Sequence, residues 1–185
     1  MPPRDQLVEF ARRLCRDGYV VALQGNLSLR HGAGFLITPS AVPYDLLDAD
    51  SMVELSADGS HVSGPAPSSE RAVHLAIYAA RPEVRAIIHA HPLHVCAIAV
   101  DGRELPALLD EVQPVLGGEV RVAEYAPSGS LDLGAHAVRG VEGRNAVILA
   151  RHGSVTVGPD LLTAYQRLEV LERAAAVHVL TGGLR

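Results

Sequence analysis

The residues best equipped to do chemistry are two histidines, His89 and His91, spaced as His-x-His at the end of an apolar run. Val84, Ala86, Ile87 and Ile88 precede them and Pro92 follows. That pattern favours a buried strand ended by the proline. Alternate side chains of a strand share a face, so the two imidazoles aim at one point. Imidazole is the commonest protein ligand for metals, and a carboxylate beside two of them makes a divalent-cation site. Glu70, in Pro67-Ser68-Ser69-Glu70, supplies one at the head of a predicted helix. A tight site needs a third imidazole. His152, in Arg151-His152-Gly153 after the apolar run 146–150, is the best candidate. Taken singly, a His-x-His pair is more often a polar strand end than a ligand pair, and a lone Glu70 more often a residue that suits a helix N-terminus.

The elements that must position these groups follow from hydrophobic period and turn residues. Leu7, Val8, Ala11, Leu14 and Cys15 recur at helical spacing over 4–17, and Gly18 closes that helix. Residues 27–30 alternate as a strand, 31–34 form a hairpin turn, and 35–37 return as the partner. A turn or short helix spans 43–50, a strand 52–55 and a turn 57–60, where His61 follows as a solvated residue. Ser68 or Ser69 is expected to cap a helix running to Ala80, with Glu70 in its first turn and Val73, Ile77 and Ala80 on one face. His74 lies one turn beyond Glu70, where it packs or supports the site. The strand 84–91 and a helix over 93–100 follow, with His94 as a surface or supporting residue. No pattern stands out over 105–118. Residues 120–125 alternate as a strand, 130–141 form a helix, and 145–150 and 154–157 form strands. The last helix starts at Pro159 and runs to about Leu180, with Leu162, Tyr165, Leu168, Leu171 and Ala175 on one face. Strands interspersed with helices, several joined by hairpins, predict an α/β fold of the α+β type. Its central sheet is mostly antiparallel and flanked by helices on both faces.

Composition narrows the function classes. With 185 residues, 48% hydrophobic and 20% charged, the chain reads as one globular domain over 1–185. A net charge of −5 without basic clusters argues against nucleic acid as a partner. The N-terminal MPPRDQ lacks an apolar leader core, and no apolar run reaches the ~20 residues that span a bilayer. A soluble cytoplasmic protein is expected, with no membrane partner. Cys15 and Cys96 form no metal or disulfide pattern and read as small core residues. All 16 basic residues are arginine, so a lysine Schiff base is excluded.

Five blocks in order resemble the class II aldolase/adducin family: GNLS at 25–28, ITPS at 37–40, PSSE at 67–70, HAH at 89–91 and RHG at 151–153. The resemblance covers about Gly18 to Gly158, most of the chain. It implies that Glu70, His89, His91 and His152 surround Zn2+ or another divalent ion such as Mn2+ or Co2+. The imidazoles are the permanent ligands, and Glu70 is the group that leaves when substrate binds. It also implies a phosphate pocket at Gly25, Asn26, Ser40, Ser68 and Ser69, which suits hydroxyl and amide donors near a helix N-terminus. The implied partner is a small phosphorylated sugar, a ketose 1-phosphate resembling fuculose 1-phosphate. Cleavage would give dihydroxyacetone phosphate and an aldehyde, with Glu70 moving the proton. A homotetramer with sites between subunits is implied as well.

The blocks depart from the family pattern in three places. Ala41 stands where a glycine follows the Thr-Pro-Ser block; if that position needs positive φ, the loop must shift. Leu109-Asp110-Glu111 replaces a segment bearing a tyrosine, so Asp110 or Glu111 is expected to line the cleft, with Tyr125 as a further candidate. The family continues beyond the position of Arg185 into a tail with another tyrosine. Relatives include decarboxylases, 4-epimerases and dehydratases, and non-catalytic adducin-like modules. The epimerase branch has Asp at the Glu70 position and a longer insert before the third histidine. The modules lack the ligand set. A purely structural or storage metal site would have no use for a phosphate pocket.

Overall fold

The computed structural model describes residues 1–183. Their strands are β1 (Asn26–His31), β2 (Gly34–Ile37), β3 (Val53–Leu55), β4 (His61–Ser63), β5 (Ala86–Ala90), β6 (Val122–Ala123), β7 (Ala146–Leu149) and β8 (Gly153–Gly158). They form an eight-stranded sheet in the order β4-β3-β2-β1-β5-β8-β7-β6. Every pairing is antiparallel except β6 with β7. The helices are α1 (Pro3–Arg16), α2 (Arg71–Ala80), α3 (Leu93–Asp101), α4 (Val112–Leu116), α5 (Leu131–Gly140) and α6 (Leu161–Leu180). The mostly antiparallel sheet with helices on both faces is the architecture expected from the sequence.

The sheet separates two apolar cores. One gathers Leu7, Leu14, Ile98, Leu116, Leu168 and Leu171 from α1, α3, α4 and α6 against Leu27, Ala86 and Ile88. The other gathers Val73, Ile77, Leu133 and Ala137 from α2 and α5 against Ile87, Val155 and Val157. The period of two along β5 explains the division: Ala86, Ile88 and Ala90 face one layer, Ile87 and His89 the other. All five residues of β5 are buried, which is why its sequence is apolar rather than alternating.

Several boundaries differ from expectation, each for a local reason. The α2 helix begins at Arg71 with Glu70 as its N-cap residue, not with a serine. The Ser68 hydroxyl instead accepts from the Glu70 N–H, in a turn closed by Arg71 N–H on the Ser68 carbonyl. Ala80 is exposed, and Leu161 rather than Leu162 faces the core from α6. Pro159 precedes the helix because Asp160 is the cap, accepting from the Thr163 N–H at 2.7 Å. His61 sits on β4, an edge strand unread in the sequence because it has only three residues, all exposed. The α4 helix was hidden in the patternless 105–118 stretch, and the expected 120–125 strand is only two residues long. Cys15 is exposed and Cys96 half-buried, so neither is a core residue. No helix of the described residues is long and apolar enough to cross a membrane.

Candidate metal centre and active site

The site forms where three neighbouring strands reach the same end of the sheet. Asn26 opens β1 and pairs with His89 near the end of β5, while Ala90 pairs with Ser154 near the start of β8. Paired antiparallel residues share a face, so Asn26 and His89 both point toward α2, whose N-terminus brings Glu70 over them. His91 lies one residue beyond β5, where its N–H donates to the Tyr19 carbonyl and Pro92 starts the turn into α3. His152 sits in the tight turn from β7 to β8, which Arg151 enters at φ 59°. Gly153 follows because there is no room for more: a Cβ would lie 2.6 Å from the Ala90 carbonyl oxygen and 3.0 Å from the His91 ring.

The three imidazoles stand in contact, their ring centroids 4.7–5.0 Å apart. One ring nitrogen from each lies within 4.8 Å of the others, a spacing that could hold a metal ion. The Glu70 carboxylate closes the group, Oε2 at 2.9 Å from His89 Nε2 and Oε1 at 3.1 Å from His152 Nε2. Two further donors fix it: Asn26 Nδ2 to Oε2 at 3.0 Å and the Ser128 hydroxyl to Oε1 at 2.5 Å. Burial works to raise the Glu70 carboxyl. The charge of His89 and the hydrogen bonds from His152, His89 and Ser128 outweigh it and hold the group well below the usual carboxylate range. Burial, helped by His89 and His152, pushes the His91 imidazole down to about 3.

The donor chemistry shows why this cluster wants a cation. His89 Nδ1 faces the Ser154 carbonyl at 2.9 Å, so that nitrogen carries the proton. Its Nε2 faces both the ionised Glu70 carboxylate and His91 Nε2, the latter at 2.9 Å, so a neutral His89 would leave Nε2 a bare acceptor against the carboxylate. That contact calls for positive charge, a proton on the ring or a cation in its place, and three imidazoles with an orienting carbonyl suit a divalent ion.

Above the cluster opens a cavity of about 200 Å³. Gly25, Asn26, Ser40, Ser68, Ser69, Glu70, His91 and His152 all line it, together with Ala41 and Ser128. Gly25 has φ 78°, and a Cβ there would meet the His89 carbonyl at 2.9 Å, so the backbone can pass only as glycine. Ala41 keeps a left-handed φ of 57° despite its methyl group. Asp110 and Glu111 are exposed at the head of α4, and Tyr125 is 58% exposed with the Arg151 guanidinium 5.5 Å from its ring; none of them lines this cavity. Ser128 was missed in the sequence, where only the turn-like Pro127-Ser128-Gly129 marked it. A hollow of about 180 Å³ elsewhere is lined by Arg121, His136 and Arg139. Its Arg121 is already spent on the carbonyls that end α5.

Residues 5–179 match the sequence profile of the class II aldolase and adducin N-terminal domain. The chain belongs to the class II aldolase and adducin family. It is 30% identical over 176 residues to the L-fuculose phosphate aldolase of Escherichia coli K12, covering 95% of this chain and 82% of that one. It is 35% identical over 172 residues to the 5-methylthioribulose-1-phosphate/5-deoxyribulose-1-phosphate aldolase of Rhodospirillum rubrum, covering 93% and 78%. A solved L-fuculose 1-phosphate aldolase superposes with a TM-score of 0.94 at 33% identity, over 98% of this chain and 86% of that one.

Proposed function

We propose that this chain is a metal-dependent aldolase, an aldehyde-lyase that reversibly cleaves a ketose 1-phosphate into dihydroxyacetone phosphate and an aldehyde. The observation that carries the reading is that a buried carboxylate and three convergent imidazoles, two of which line the pocket, meet a ring of hydroxyl and amide donors there. Zn2+, or Mn2+ or Co2+, held by His89, His91 and His152, would supply electrophilic stabilisation of the oxygen on which negative charge grows as the carbon–carbon bond breaks. Glu70 is the proton-transfer group. It starts as a carboxylate, and in the synthetic direction it removes a proton from the carbon that becomes nucleophilic. Ser128 and Asn26 hold its two oxygens and set the direction of that transfer. Gly25, Asn26, Ser40, Ser68 and Ser69 take the phosphate through hydroxyl, amide and backbone donors, with no lysine required.

The Escherichia coli and Rhodospirillum rubrum relatives are named for different sugar phosphates, so the aldehyde portion is the variable part. Extending the likeness, we read the chain as one domain that assembles into a homotetramer in the cytoplasm. The deciding experiment measures dihydroxyacetone phosphate release from a panel of ketose 1-phosphates, including 5-deoxy and 5-methylthio sugars. It is run metal-loaded, after chelation, and with Glu70→Gln. Chelator-sensitive release lost in the variant supports the reading. A folded, metal-bound protein that releases none overturns it. Asp110→Asn and Glu111→Gln in the same assay test whether the head of α4 reaches the substrate, and unchanged kcat removes both.

A further inference from the structure

Beneath the pocket, five buried side chains form one continuous chain of hydrogen bonds between α2 and β1. Glu70, His74 and Tyr78 recur every four residues along one face of the helix and its cap, while Asn26 and Ser28 are alternate residues of the strand. The two sets interlock like a zipper. Tyr78 Oη lies 2.8 Å from Ser28 Oγ, and Ser28 Oγ 2.6 Å from His74 Nδ1. His74 Nε2 lies 2.5 Å from Asn26 Oδ1, and Asn26 Nδ2 3.0 Å from Glu70 Oε2. Ser28 and His74 have no exposed surface at all.

One fixed end determines every donor in the chain. An ionised Glu70 can only accept, so Asn26 must turn its NH2 group toward it. The Asn26 carbonyl oxygen then faces His74, whose Nε2 must carry the proton. A neutral ring with Nε2–H leaves Nδ1 bare, so the Ser28 hydroxyl donates to it. That leaves the Ser28 oxygen to accept from the Tyr78 hydroxyl. We infer that His74 is a positioning residue: neutral and protonated on Nε2, it locks the Asn26 amide with one N–H on Glu70 and the other free for the pocket that Asn26 lines. Without that lock the amide could turn over, presenting an oxygen to the carboxylate and to an incoming anion. Burial, reinforced by the charge of His89, drives the His74 imidazole down to about 3, so the ring stays neutral at ordinary pH. The inference deepens the aldolase reading, because it rests on Glu70 and Asn26 as the groups that meet substrate.

Two measurements test it, and the first needs no activity. Ring-nitrogen NMR of the 15N-labelled, full-length protein, zinc-free and zinc-loaded, reports the tautomer directly. The expected result is an Nε2–H ring for His74 that does not titrate between about pH 5 and 9. An Nδ1–H ring, or titration in that range, overturns the inference. The second compares His74→Gln with His74→Asn in the zinc-loaded protein. The Gln amide nitrogen reaches the place of Nε2 and can still donate to Asn26; the shorter Asn side chain ends near Nδ1 and cannot. His74→Gln is expected to keep kcat/KM within about 3-fold, while His74→Asn loses about 10- to 100-fold, the usual range for a lost supporting partner. Equal losses would mean that His74 only fills space, and would overturn the inference. If no ketose 1-phosphate is turned over, the aldolase reading fails, while the tautomer measurement still decides this one.

Discussion

Gly153→Ala puts a single methyl group between β5 and β8, the strands whose ends bring the imidazoles together. Its Cβ would stand 2.6 Å from the Ala90 carbonyl oxygen and 3.0–3.2 Å from two atoms of the His91 ring. A carbon and a carbonyl oxygen rest comfortably at about 3.3 Å, so β5 and β8 must part by roughly 0.7 Å or the ring must yield. The nearest obstacle is backbone and cannot rotate away. Parting the strands also drags Ser154, whose carbonyl fixes the His89 ring through Nδ1. Overpacking of this kind costs about 1–3 kcal/mol. For a domain of this size that corresponds to a Tm lower by about 3–10 °C. Disturbed ligand orientation is expected to weaken zinc binding by about 10- to 100-fold. Calorimetry of the zinc-free protein gives the first number and competition with a chromogenic chelator the second. A variant with Tm within about 1 °C and zinc affinity within about 2-fold of the parent would refute the claim that Gly153 is held by steric need.

Further expectations concern groups around the site. Ser128→Ala removes the donor on Glu70 Oε1, so the carboxyl should titrate higher and kcat/KM fall about 10-fold, read from the pH–rate profile. His74 has an ordinary imidazole value of 6.5 when unfolded and about 3 when folded. The unfolded chain therefore binds more protons between those values, and stability falls as pH drops through that window, by at most about 1.4 kcal/mol per pH unit from this group. Urea melts of the metal-free protein should show a shallower acid slope for His74→Gln, and an unchanged slope would contradict the assignment. Glu172 of α6 accepts from the backbone N–H groups of His94 and Val95 and pairs with the His94 ring, capping α3 from outside. Glu172→Ala should cost about 1–2 kcal/mol in the same melts. Ala41→Gly relieves a left-handed φ at the pocket rim and should raise Tm by about 2 °C despite the added chain entropy; a lower Tm would show that the conformation carries no strain.

Much of the site was legible in the sequence because its members obey simple periods. His-x-His followed an apolar strand, and Glu70 sat beside helix-starting serines. His91 proved to lie just past β5, so period-two reasoning alone does not place it; Pro92 and the contact with Tyr19 do. Ser128 went unread because a loop serine has no period, and only tertiary approach to Glu70 gives it a task. The helix cap lies one or two residues beyond the expected serines because the Ser68 hydroxyl and carbonyl close a turn on the Glu70 and Arg71 N–H groups before the helix starts. His74 read as packing or support; the zipper with Asn26 and Ser28 depends on β1 lying beneath α2, a long-range pairing that no local pattern encodes. The α4 helix, at five residues, is too short to display a helical period.

The two margins of the sheet carry a different consequence. One is the three-residue β4, wholly exposed and set off by an irregular register against β3; the other is the two-residue β6. Long, flat margins template the addition of foreign strands, and brevity and irregularity are the ordinary defences. With so little free strand on either side, growth by sheet extension is disfavoured, and with it amyloid-like stacking and edge-to-edge dimers. Self-association is left to the helices and loops, surfaces whose side chains, unlike a bare backbone ladder, can choose their partner.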